Sequence, residues 1–171
     1  MTIPYESGGA RAPAALAMKH LLTLALCFAA ALDVRAAEPA YNEAGDAKAE
    51  IRQALGQAQA SGNSLPVLVV FGANWCGDCK VLDLAMKQGS AAPLMAREFK
   101  VVKVDVGRFD RNLDLALAYG VPLKKGIPAV AVLSAKNEVI YVTQAGELAD
   151  ARNMGEAGIH DFFKGVSARA K

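Results

Sequence analysis

The sequence predicts one α/β domain, a central mixed β-sheet flanked by helices on both faces. Segments with helical spacing of apolar residues alternate with short β-branched runs, in the order α-β-α-β-α-β-β-α. One run, PVLVVFG at 66–72, is apolar throughout, as expected of a strand buried on both faces at the centre of a parallel sheet. The last two runs flank Lys136-Asn137 and read as a hairpin.

The elements follow in order. Residues 46–60, DAKAEIRQALGQAQA, carry Ala47, Ile51, Leu55 and Ala58 three and four apart, an amphipathic helix closed by Gly62 and Asn63. The strand 66–72 comes next. After it, CKVLDLAMKQG at 79–89 is a second helix, with Val81, Leu82, Ala85 and Met86 on or near one face and Gly89 as a stop. Pro93 to Glu98 form a short additional helix, and FKVVKVDVG, 99–107, a second strand. Residues 111–119 give another short helix, closed by Gly120. The hairpin strands are 129–134 and 138–144, and Ile159, Phe162, Phe163 and Val166 set one face of a helix over 155–168.

The 171 residues suit one compact domain with an appended segment. A hydrophobic content of 53% and a net charge of +2 are those of a globular chain, with no basic excess to favour nucleic acid. The appended segment is legible. From Met18, Lys19 and His20 give a positive start, Leu21 to Leu32 an apolar run, and Val34-Arg35-Ala36 a small-residue end. That is the layout of a secretory signal over 18–36, cleaved after Ala36, and its apolar run is shorter than a membrane-spanning helix needs. Residues 1–17 are read as an over-extended start or a leader, 37–45 as a flexible lead-in, and 46–171 as the domain. Cleavage removes Cys27, leaving two cysteines in a compartment that permits disulfides.

Those two lie in ANWCGDCK, residues 73–80, where the central strand gives way to a helix. Such junctions form the crevice of α/β sheets. Cys76 is expected at the mouth of the helix, where unpaired N–H groups lower a thiol pKa, and Cys79 one turn in, within reach of a mixed disulfide on Cys76. Gly77 allows close approach of a substrate chain and Trp75 offers a flat apolar surface. Zinc wants four ligands, and beyond the pair only His160 remains after cleavage, so no metal is expected. An inert disulfide is the other reading, although a bridge closing so short a loop removes little unfolded-state entropy.

VLVVFGANWCGDCK resembles the active-site strand, turn and helix of the thioredoxin superfamily, and KKGIPAV resembles its active-site proline segment. The resemblance covers roughly residues 47–168. It implies a thioredoxin-like fold, a redox disulfide between Cys76 and Cys79, a cis Pro128 opposite them, and a backbone at Ile127 that pairs with an extended substrate. It also sets out departures. Gly77-Asp78 stands where the most familiar members have Gly-Pro, and the Asp78 carboxylate is expected to raise a thiolate pKa and give a reductant-leaning couple. Val70 occupies the place of the family's buried acid. Lys103 matches a lysine near that acid and is a candidate for tuning the site. Lys80 carries a charge beside the pair, the loop 121–126 with Lys124 and Lys125 is longer than in compact members, and no strand is evident before the first helix.

The expected function is thiol–disulfide exchange on exported proteins in the periplasm, without a cofactor. Cys76 is the nucleophile and Cys79 resolves. Partners are protein thiols and disulfides, with a membrane thiol–disulfide reductase as electron donor by family resemblance. Net oxidation or isomerisation, a non-catalytic binding module and a thiol peroxidase are the alternatives.

Overall fold

A computed structural model describes residues 38–60 and 65–170. The expected leader and signal, Gly62 and Asn63 lie outside the described residues. From Pro39 onward the chain forms one unit.

Its elements are α1 (Ala47–Ala60), β1 (Val67–Gly72), α2 (Gly77–Lys87), α3 (Ala92–Glu98), β2 (Lys100–Asp105), α4 (Leu113–Ala118), a 3₁₀ turn (Leu123–Lys125), β3 (Ala129–Leu133), β4 (Val139–Val142) and α5 (Ala151–Arg169). The sheet order is β2-β1-β3-β4. β1 runs parallel to β2 and antiparallel to β3, and β3 and β4 form the hairpin, so the sheet is mixed. This is the mixed sheet with helices on both faces that the sequence predicts. Among the described residues no strand precedes α1.

Alternation along β1 divides the core. Val67, Val69 and Phe71 pack with Ile51 and Leu55 of α1 and Leu115 of α4. Leu68 and Val70 pack with Leu82 and Met86 of α2, Met95 of α3 and Ile159 and Phe163 of α5. All six β1 residues are buried, which is why the strand shows no polar alternation.

Two boundaries differ from expectation in ways that shape the site. α5 starts at Ala151, one turn before the expected 155, and breaks at Gly155, where φ is +65°. A glycine in that conformation reads as a helix start in sequence, yet here it joins an earlier turn to the main helix. The lead-in is not loose at Tyr41. That side chain is 1% exposed, and Asn74 holds its backbone from both sides, accepting from the Tyr41 N–H (2.9 Å) and donating to its carbonyl (2.9 Å).

Candidate redox site

Cys76 caps α2. Its backbone is extended (φ −79°, ψ 117°), and its Sγ accepts the Cys79 N–H at 3.2 Å. A sulfur in that position satisfies one of the helix's orphan donors, and the same donor stabilises a thiolate there. Asp78 in the first turn and Lys87 in the last complement the helix dipole. Cys76 and Cys79 are joined as a disulfide with Cα atoms 5.2 Å apart. Cys76 is 5% exposed and Cys79 is fully buried, so an incoming thiol meets Cys76 first.

The loop before β3 closes the other side. The Ile127–Pro128 peptide is cis, and Cys76 Sγ lies 3.6 Å from the Ile127 carbonyl oxygen. Trp75, Gly77, Cys76, Ile127 and Pro128 therefore lie together at one end of the sheet. Trp75 is 49% exposed; its indole N–H donates to the Gly107 carbonyl (2.7 Å), and Phe109 meets its ring edge-on at 6.0 Å between centroids. Gly107 has φ +56°, and a Cβ there would collide with the Asp110 carboxylate, so the loop that carries Trp75's acceptor needs glycine. Beyond Phe109 a groove of about 660 Å³ is lined by Leu113, Leu117, Val121, Pro122 and Leu123.

The charges are arranged differently from the sequence expectation. Asp78 is buried and does not stand as an uncompensated charge beside the sulfurs. Its Oδ1 accepts the Arg152 N–H (3.0 Å) and Nε (3.1 Å), and its Oδ2 lies 3.1 Å from Nη2. Burial raises the Asp78 pKa, but the Arg152 hydrogen bonds and charge outweigh it and hold the carboxyl below its ordinary range. The guanidinium also lies over Gly77, where a Cβ would stand 3.4 Å from Nη1. The reason sits in the extra turn of α5, which delivers Arg152 to the mouth of α2.

Lys103, opposite Val70 on the neighbouring strand, pairs its ammonium with Asp83 of α2, and none of its hydrogen bonds or ion pairs among the described residues runs to a cysteine. Burial lowers its pKa. Asp83 also holds Lys87 (2.9 Å), so this cluster ties α2 to the sheet edge. Val70 is wholly buried among Leu68, Leu82 and Val130. Lys80, Lys124 and Lys125 are exposed. His160 lies on α5 beside Asp161 (3.2 Å). Among the described residues no group of three or more His, Cys, Asp or Glu is placed to hold a metal ion.

Sequence reasoning missed Arg152, Tyr41 and Phe109. Their only advance signals were an arginine one turn before a glycine, a tyrosine in a lead-in, and an aromatic in a charged loop.

A paired dithiol capping a helix beside a cis-proline loop defines a class, the α/β proteins that exchange dithiol for disulfide. The profile of the family described as thioredoxin-like matches residues 46–135. A thioredoxin of Haemophilus influenzae is 33% identical over 86 residues, 50% of this chain and 71% of that protein. Thioredoxin 1 of Chlorobaculum tepidum is 40% identical over 72 residues, 40% of this chain and 59% of its own. The crystal structure of a disulphide isomerase from Xylella fastidiosa Temecula1 is 45% identical with a TM-score of 0.73, covering 77% of this chain and 99% of that one. The chain belongs to the thioredoxin-like family, and is a thiol–disulfide oxidoreductase by fold and paired cysteines.

Proposed function

We propose that this oxidoreductase is exported to the periplasm and reduces disulfides of exported proteins. Cys76 attacks the substrate sulfur, Cys79 resolves the mixed disulfide, and Pro128 with the Ile127 backbone aligns the partner chain. Trp75 and Gly77 form the docking surface around the sulfur. Electrons return through a membrane thiol–disulfide reductase. The observation that carries the reading is the placement of Cys76 at the α2 cap, 3.6 Å from the Ile127 carbonyl, with Cys79 bonded to it from beneath. The signal-like segment 18–36 supports export.

The test is Cys79→Ala expressed in a Gram-negative host. The variant accumulates mixed disulfides through Cys76 with periplasmic proteins; a binding module yields none, and capture of cytoplasmic proteins alone overturns the location.

Isomerisation is the second reading. It is favoured by the 45% identical Xylella structure described as a disulphide isomerase, and by the Arg152 guanidinium, which cancels the Asp78 charge that would otherwise favour a strongly reducing couple. The two readings separate on scrambled ribonuclease: an isomerase restores activity without net loss of disulfides, a reductase removes them.

A further inference from the structure

The resolving cysteine has a polar neighbour that no sequence motif announces. Gly72 ends β1 directly before the redox motif, and the space its missing side chain leaves is shared. A Cβ at Gly72 would collide with the Tyr41 hydroxyl and stand 3.0 Å from Cys79 Sγ, so oxygen and sulfur border the same small space from either side. Both residues are essentially closed to solvent. The paired backbone hydrogen bonds to Asn74, adjacent to Trp75, fix the tyrosine to the motif it serves. At position 70, where the resemblance puts a buried acid, the structure has an apolar contact.

We propose that Tyr41 assists the resolving cysteine, its phenol O–H donating a hydrogen bond to Cys79 Sγ whenever that sulfur carries negative charge. This rests on Cys79 being the resolving sulfur. A buried thiolate with no donor is costly, and a charge-assisted hydrogen bond offsets that cost. The hydroxyl acts as donor and not as base. Burial, reinforced by the Asp105 charge, holds the phenol protonated far above the ordinary tyrosine range.

The exchange balances as follows. In resolution, Cys79 Sγ attacks Cys76 Sγ, the Cys76–Cys79 bond forms, and the bond from Cys76 to the substrate sulfur breaks. The substrate thiolate leaves with the electron pair and takes up the proton that Cys79 gives up. In the reverse direction, an incoming thiolate attacks Cys76 Sγ and Cys79 leaves as the buried thiolate. One donor beside Cys79 speeds both directions, since both pass through the same charge on that sulfur.

The experiment is stopped-flow reaction of the reduced protein with dithiobis(nitrobenzoate). Attack by Cys76 releases the first coloured thiolate, and resolution by Cys79 the second. Losing a hydrogen bond to a thiolate lowers the thiolate fraction, and part of that loss returns as higher nucleophilicity. Tyr41→Phe therefore slows the second release relative to the first by about three- to tenfold, and its pH midpoint moves upward. A packing defect slows both releases together or leaves their ratio and midpoint unchanged, and either result overturns the proposal. Should Tyr41→Phe fold poorly, site-specific 3-fluorotyrosine at position 41 keeps the shape and strengthens the donor; the second release then accelerates, and no change refutes the role. Failure of the oxidoreductase reading itself looks different, because the wild type would then show no second release.

Discussion

The ion pair between Asp78 and Arg152 makes a prediction of sign as well as size. With both charges present the helix mouth is close to neutral, the carboxylate held at 3.0–3.1 Å by the guanidinium and the Arg152 backbone. Arg152→Met leaves the carboxylate uncompensated, destabilises the Cys76 thiolate and moves the reduction potential to a more negative value. Asp78→Asn leaves the guanidinium uncompensated and moves it the other way. The Arg152 side chain is 63% exposed, so solvent screens it. A unit charge at roughly 7 Å with an effective dielectric of about 40 shifts a two-electron couple by on the order of 20–30 mV. Equilibration against glutathione buffers measures the potential, with fluorescence of Trp75, the sole tryptophan, reporting the redox state. Added salt shrinks the gap between the variants. Shifts of the same sign, or none in either variant, would refute the account of these charges.

Three further outcomes are expected. Gly72→Ala drives a methyl into the Tyr41 hydroxyl and Cys79 Sγ, and destabilises the protein by about 1–3 kcal/mol in urea unfolding with an unchanged m-value. Trp75→Ala raises KM for a protein disulfide severalfold while leaving the rate with a small aromatic disulfide and the Tm nearly unchanged, because the half-exposed ring belongs to the proposed docking surface and only partly to the core. Asp78 has a folded pKa below its ordinary 3.8, so its contribution to stability is present above that value and lost as pH falls through the folded one. The Tm of the wild type therefore drops more steeply than that of Asp78→Asn only below about pH 4, and parallel acid limbs would show the pair to be unimportant for stability.

Most of the scaffold was legible because it depends on short-range pattern. An uninterrupted VLVVF can hide only in a sheet covered on both faces, and a cysteine directly after that strand and its turn falls at a helix mouth by chain geometry alone. The proline segment was legible as a resemblance, and it lies where that implied. What escaped were the groups brought in from a distance. Asp78 looked like a bare charge because the arginine that holds it lies 74 residues away, in a helical turn that Gly155 masks. Lys103 was legible only as a candidate for tuning the site, because the partner its ammonium meets, Asp83, lies twenty residues earlier on α2.

Gly72 likewise matters more than its sequence position announced. A glycine at the end of a strand usually reads as punctuation. Here it opens a space beside the resolving sulfur, and the lead-in fills that space with a phenol. The apolar Val70 and the small Gly72 are then two parts of one arrangement, in which β1 supplies no polar side chain to Cys79 and instead admits one from outside the sheet. The two positions are therefore coupled. Introducing an acid by Val70→Asp restores part of the second-release rate lost in Tyr41→Phe, and adds less in the wild type, where the hydroxyl already serves Cys79. A double-mutant cycle on that rate measures the coupling directly. Equal effects of Val70→Asp in both backgrounds would show that the acid and the phenol act on Cys79 independently.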